Sequence, residues 1–188
     1  MLAYLFWHCA RAEVAAGEYE AALAAFHRAL LQSRPQGYLG SFIVALDRIP
    51  WLAGRAGYAD WYLVESSADL DSINRAAVTG AREAPHESVA ALAQDGIAGL
   101  YRVTRGRLRL PGDRVEETWL SKPGGERYAD FFTRLEGGIG ESGCLWQRQM
   151  TLGPTPEFCL QNSPAPPATG GARVIDLVGR KVAQFGQV

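Results

Sequence analysis

The sequence predicts an α+β fold built from two diverged copies of one β-α-β-β unit, and three observations predict it. A helical stripe, Tyr19, Ala22, Leu23, Phe26, recurs as Tyr128, Phe131, Phe132, Leu135 at the same 0, +3, +4, +7 spacing. Each stripe runs into a Gly-x-Leu strand start, Gly37-Tyr38-Leu39 or Gly143-Cys144-Leu145, followed by a second apolar strand, Trp61 to Val64 or Phe158 to Leu160. Upstream of each stripe lies a strand-like run holding a tryptophan, Trp7 or Trp119.

Leu2 to Ala10 is apolar almost throughout, as expected of a strand covered on both faces. Glu18 to Leu31 is the first helix, with Glu18 and Glu20 complementing its dipole and Pro35 disfavouring helical geometry in Arg34. Gly37 to Leu46 and Asp60 to Glu65 are the next strands. The loop between them, with Pro50, Trp51, Gly54 and Gly57, is longer than its counterpart at 153–156 and reads as an insertion with a role as a lid or subunit contact. Ser66 and Ser67 are candidate N-caps, with Asp69 in the first turn, of a helix to about Val78, and Gly80 suits a left-handed stop. A short helix starts at Pro85 and ends near Gly96, and Leu100 to Thr104 is a fourth strand.

The first half therefore has the β-α-β-β-α-β order of ferredoxin-like folds. In the second half, Val115 to Ser121 is a strand, Glu126 to Leu135 a helix, and Cys144 to Leu152 with Glu157 to Gln161 a hairpin. Asn162 to Pro167 and Thr169 to Gly171 are too rich in proline and glycine for a regular element, and a strand is expected at Arg173 to Val178. This divides the chain into a first ferredoxin-like repeat (1–106), a linker (107–114) and a second, shorter repeat (115–188).

A chain of 188 residues that is 47% hydrophobic can bury a sizeable core without staples. A net charge of −1 gives no field to gather phosphate backbones, so nucleic acid is not an expected partner. No run approaches the roughly 18 apolar residues that span a bilayer, and residues 1–10 lack a basic leader, so neither membrane insertion nor secretion is expected and a cytoplasmic location is. Cys9, Cys144 and Cys159 have no zinc-site spacing; Cys144 and Cys159 fall on neighbouring strands, where buried free thiols are favoured over a disulfide.

Two ferredoxin-like units in tandem, each with helices on one side of an antiparallel sheet, resemble the dimeric α+β barrel superfamily. The resemblance rests on element order and the repeated stripe, and implies two sheets facing each other as an α+β barrel, between subunits or between fused halves. Its members include small monooxygenases that act on polyketides without metal or flavin, haem-binding chlorite dismutase relatives, and groups with no assigned activity. No histidine here aligns as a haem ligand, and no cofactor is expected. A homodimer is one way to cover an open sheet face.

His8, between Trp7 and Cys9, is the candidate catalytic base; its position in the second copy holds Leu120, so folding does not require histidine there. Trp7, Tyr38, Trp61 and Tyr62 are candidate walls of an aromatic substrate pocket. Arg82 and His86, at a helix start, form a candidate polar site for a carboxylate or phosphate. His27, flanking the first stripe, reads as a surface or boundary residue. No nucleophile elbow, zinc helix or phosphate-loop signature is present. Two functions follow. One is a cofactor-independent, monooxygenase-like enzyme for a small apolar or aromatic molecule, with a cavity touching His8. The other is a non-catalytic binding or assembly protein, with Trp7, Tyr38 and Trp61 dry and no pocket of roughly 300 Å³.

Overall fold

The computed structural model describes residues 1–149, 153–163 and 171–186. Its strands are β1 (Leu2–Ala10), β2 (Tyr38–Ile49), β3 (Arg55–Val64), β4 (Ala93–Gly106), β5 (Arg114–Leu120), β6 (Cys144–Arg148), β7 (Phe158–Gln161) and β8 (Val174–Phe185). Its α-helices are α1 (Ala16–Ser33), α2 (Leu70–Ala77), α3 (Glu83–Leu92) and α4 (Tyr128–Ile139). Among the described residues the strands close into one antiparallel barrel in the order β1-β3-β2-β8-β5-β7-β6-β4, with β4 returning to β1. This corrects the expectation of two ferredoxin-like units: strands from both halves hydrogen-bond in a single closed sheet, joined where β2 pairs with β8 and β4 with β6. The proline-rich reading at 164–167, Thr169-Gly170, and the end of the predicted strand at 150–152 lie outside the described residues.

Alternation along the strands makes two cores from one sheet, because successive side chains point to opposite faces. On β1, Ala3, Leu5, Trp7 and Cys9 belong to the barrel interior, while Phe6 and Ala10 pack with the helices outside. Both faces are covered, which is why the run is apolar throughout. The interior holds Trp7, Trp51, Trp61, Trp119 and Trp146 with Phe42 and Tyr101. Outside, α1 and α3 cover β1, β3 and β2 through Leu23, Phe26, Leu30 and Val89, and α4 covers the opposite wall through Phe131, Leu135 and Ile139.

The repeated stripe does not bury the same positions. Tyr19 is buried, whereas Tyr128 is 47% exposed and the buried face of α4 runs through Phe131, Leu135 and Ile139. The expected long loop after β2 is also shorter than its sequence suggests. β2 and β3 extend to Ile49 and Arg55, leaving a 3-10 turn at Pro50–Leu52. Trp51 is no lid: it is buried and packs edge-on against Trp7 and Trp119, with ring centroids 5.1 Å away in each case. An indole at a hairpin tip finds its apolar partners in the barrel it closes.

Local signals hold where the chemistry is local. Arg34 ends α1 in the left-handed region at φ 40°, its N–H bonding the Leu30 carbonyl, as a residue barred from helical geometry by Pro35 can do. Ser66 N–H and Oγ both bond Asp69 Oδ2, at 2.9 and 2.6 Å, to start the turn into α2. Asp69 also lies against Gly37 at φ +71°, where a Cβ would come within 2.0 Å of the carboxyl carbon, so only glycine fits.

Candidate active site beneath the helices

A cavity of about 590 Å³ lies between the outer face of β1 and β3 and helices α1, α2 and α3. Phe6, Leu23, Phe26, Leu30, Ile73 and Val89 give it apolar walls. His8, Tyr19 and Tyr62 supply polar groups, and Asp71, Asn74 and His86 come from α2 and α3. Mostly apolar walls with a few polar groups, at this size, suit a small organic molecule.

The polar groups belong to a buried row that crosses three neighbouring strands. Facing outward, β1 offers His8, β3 offers Asp60 and β2 offers Ser41; in register, His8 pairs with Tyr58, Phe6 with Asp60, and Ser41 with Tyr62. His8, His27, Ser41 and Asp60 are all at most 2% exposed. The Nε2 atoms of His8 and His27 each lie 3.2 Å from Asp60 Oδ2. Both contacts are at ion-pair distance but bent away from a straight hydrogen bond, and Asp60 Oδ1 has no protein partner. Tyr62 donates to Asp60 Oδ2 at 3.0 Å.

At the far ends, His8 Nδ1 is 2.7 Å from the Tyr19 hydroxyl and His27 Nδ1 is 2.7 Å from Ser41 Oγ, which meets the Tyr38 hydroxyl at 2.6 Å. Beside an ionised Asp60, which can only accept, the network assigns a proton to each Nε2. That leaves each Nδ1 to accept, from Tyr19 and from Ser41.

Burial opposes ionisation of Asp60, but the adjacent His8 and His27 outweigh it and hold the carboxyl well below the usual carboxylate range. Burial, and then the Asp60 charge, push the Tyr19 hydroxyl up; the same two causes push Tyr62 far up. Both phenols therefore stay protonated at neutral pH and act as donors. Tyr19 and His8 both line the cavity, the Tyr19 hydroxyl is directed at His8, and His8 has a carboxylate behind it. A proton leaving a bound molecule can pass to Tyr19 oxygen as Tyr19 passes its own to His8 Nδ1, with Asp60 stabilising the imidazolium.

Of the residues singled out from sequence, the cavity brings together His8, Tyr62 and His86. Trp7 and Trp61 point into the barrel interior, since each neighbours a cavity-facing residue in the strand and so takes the opposite face. Tyr38 is at the end of the polar row through Ser41. Arg82 sits before α3, its guanidinium 3.4 Å from Thr79 Oγ1 and outside the described cavity lining. His27 is fully buried rather than at the surface, because Asp60 and Ser41 occupy the sheet face beneath it. Asp60 and Ser41 went unread as site residues. Their signal was present: each is a polar residue on the helix-covered parity within the apolar stretch of its strand, 38–46 in β2 and 56–64 in β3.

Among the described residues, no three His, Cys, Asp or Glu side chains are arranged to hold a metal ion. The three cysteines are buried free thiols, and burial pushes Cys144 up to about 12.

The barrel interior holds a second buried acid. Glu117 accepts from Trp119 Nε1 at 2.9 Å and from Gln161 Nε2 at 3.1 Å, and Gln161 accepts from Trp146 Nε1 at 2.8 Å. Burial raises Glu117 from 4.5 to about 7 despite these donors. A carboxyl whose pKa is higher in the folded than in the unfolded chain contributes stability below its unfolded pKa and loses it as pH rises through the folded one. Stability should therefore fall by about 3 kcal/mol between pH 4.5 and 7 on this account. Glu117→Gln should flatten that slope in denaturant melts at pH 5 and pH 8, whatever constant offset the amide adds; an unchanged slope would contradict the assignment.

The fold and this cavity define a class before any particular relative: an α+β barrel with a cavity between sheet and helices. No protein-family model matches the chain, and no curated protein matches its sequence. Solved structures do match in fold. A proposed monooxygenase from Fusobacterium nucleatum superposes with TM-score 0.66 at 10% identity, covering 99% of this chain and 94% of that one. An anthrone oxidase-like protein gives TM-score 0.59 at 11% identity, covering 97% and 92%. A proposed chlorite dismutase gives TM-score 0.57 at 16% identity, covering 97% and 94%. At such identities the likeness is one of fold alone. Among the described residues no helix is long and apolar enough to cross a membrane.

Proposed function

We propose that the protein is a monooxygenase-like enzyme that removes a proton from an acidic C–H or O–H of a small aromatic molecule held beneath α1, α2 and α3. The observation that carries this reading is a cavity of about 590 Å³ with the Tyr19–His8 pair in its wall and Asp60 behind it. The volume is well above the roughly 300 Å³ below which an assembly role would be favoured. The dry tryptophans expected of an assembly protein are present too, but they fill the barrel on the other face of the sheet.

In this reaction Tyr19 accepts the substrate proton as its own moves to His8 Nδ1, and Tyr62 and the apolar walls hold the ring system. The substrate carbanion then reacts with dioxygen: a ring CH2 becomes C=O, one oxygen atom enters the product and the other leaves as water. The names of two fold neighbours, a proposed monooxygenase and an anthrone oxidase-like protein, support this choice of chemistry.

Anthrone is the probe that tests it. Wild-type protein in aerated buffer should convert anthrone to anthraquinone faster than buffer alone. Tyr19→Phe, which keeps the ring and removes only the hydroxyl, should lower kcat about 100-fold with little change in KM. Saturable binding without turnover would instead make this a ligand-binding protein, and neither binding nor turnover would remove the reading.

A further inference from the structure

We propose that His27 is a positioning residue that holds Asp60 behind His8, and so determines which nitrogen of His8 carries the proton and whether Nδ1 is bare toward Tyr19. His27 is fully buried and is not among the described residues lining the cavity, so it is placed to act through Asp60 rather than on a ligand. Its Nε2 lies 3.2 Å from Oδ2, the same oxygen that His8 Nε2 approaches to 3.2 Å. A terminal carboxylate torsion is broad and roughly two-fold, so an aspartate's own rotamer does not fix where its oxygens point. Its partners do. Tyr62 and His27 approach Oδ2 alongside His8, and Oδ1 is held by nothing.

His27 is itself firmly set. Its ring stacks on Tyr62 with centroids 4.7 Å apart and planes 21° apart, and it has Phe185 at 5.7 Å. Its Nδ1 is tied to Ser41, and Ser41 to Tyr38. The anchoring chain therefore runs from β2 through α1 to the carboxylate on β3, and ends at the imidazole on β1. Held in this way, Asp60 favours the His8 tautomer with Nε2 protonated, leaving Nδ1 bare for Tyr19. That pattern of a base oriented by a buried carboxylate is what proton abstraction requires, so the inference rests on the proposed function for its catalytic consequence but not for its structural one.

The chain has three histidines, so the imidazole nitrogens of a uniformly 15N-labelled protein can be resolved and their tautomers read directly by NMR. Wild-type His8 should show a protonated Nε2 and a bare Nδ1. His27→Leu should shift His8 toward a mixture of tautomers, and His27→Gln, which restores an N–H donor toward Asp60, should return the wild-type pattern. An unchanged His8 pattern in folded His27→Leu overturns the proposal. If His27→Leu does not fold, Ser41→Ala, which removes the His27 anchor together with the Tyr38 contact to it, is read in its place: a changed His8 pattern supports the proposal and an unchanged one overturns it. With anthrone as substrate, His27→Leu should lower kcat about 10-fold at unchanged KM, with recovery in His27→Gln. A wild-type protein inert toward anthrone whose His8 tautomer still depends on His27 would defeat the proposed function and leave the positioning role standing.

Discussion

His8→Gln should lower kcat for anthrone oxidation by about 10²- to 10⁴-fold, the range that a general base supplies. The amide can still accept from Tyr19 or donate toward Asp60, so the buried row keeps partners and the melting temperature should fall by only a few degrees. Glutamine is a better test than alanine here. Alanine would leave the buried Tyr19 hydroxyl without its acceptor, at a cost of about 1–3 kcal/mol, and would mix a folding defect into the rate. Turnover within threefold of wild type in His8→Gln would show that His8 is not the base, and the cavity would then need another.

The largest effect on stability should come from Asp60→Leu. Two imidazoles and the Tyr62 hydroxyl converge on one carboxylate that is 2% exposed, and leucine offers none of them an acceptor. Leaving a buried hydrogen-bond donor without its acceptor costs about 1–3 kcal/mol, and three such donors together bring the loss to the order of 10 °C in Tm for a chain of this size. Asp60→Asn, which keeps one oxygen, should fall in between.

The pH dependence of this loss has a definite sign. The folded carboxyl is held below its unfolded value of 3.8, so its contribution is present above that value and is lost as pH falls through and below it. The gap between wild type and Asp60→Leu should therefore be full at pH 7 and shrink below about pH 4. A gap that is constant with pH would mean that Asp60 acts by shape and not by charge.

Much of this was legible in the chain where the determinants are local. The first strand, the first helix with its stop before Pro35, the Ser66–Asp69 cap and the strand expected at Val115 to Ser121, found at Arg114–Leu120, all follow from spacing and caps. The barrel was not, because its closure depends on contacts remote in sequence. β8, from Val174 to Phe185, mixes Asp176, Arg180 and Lys181 with apolar residues, and only its first residues read as a strand; its role is set by β2, which lies more than a hundred residues earlier. The matching stripes misled for a related reason. Spacing fixes which residues share a helix face but not which member of the face meets the sheet, so Tyr19 is buried where Tyr128 is not.

In the site, His8 and Tyr62 were readable as aromatic or titratable residues in apolar strands. Pairing them with Trp61 as a common wall was not consistent with strand parity, which sends adjacent residues to opposite faces. The apolar run places Asp60 at the first position of a strand, where a charge is expected at the surface, but the strand begins at Arg55 and Asp60 lies in its buried middle. His27 looked peripheral because its two partners lie on strands that only the folded sheet sets side by side.

All five indoles of the chain sit inside the barrel, while the cavity under the helices is lined by tyrosines, phenylalanines and histidines. The two compartments therefore have separate optical reporters. Emission excited at the red edge of protein absorption follows the integrity of the strand cylinder, and a coloured or fluorescent guest under the helices can be followed in its own band. Loosening of the helical cover and melting of the cylinder can thus be timed independently in one cuvette, with no introduced label.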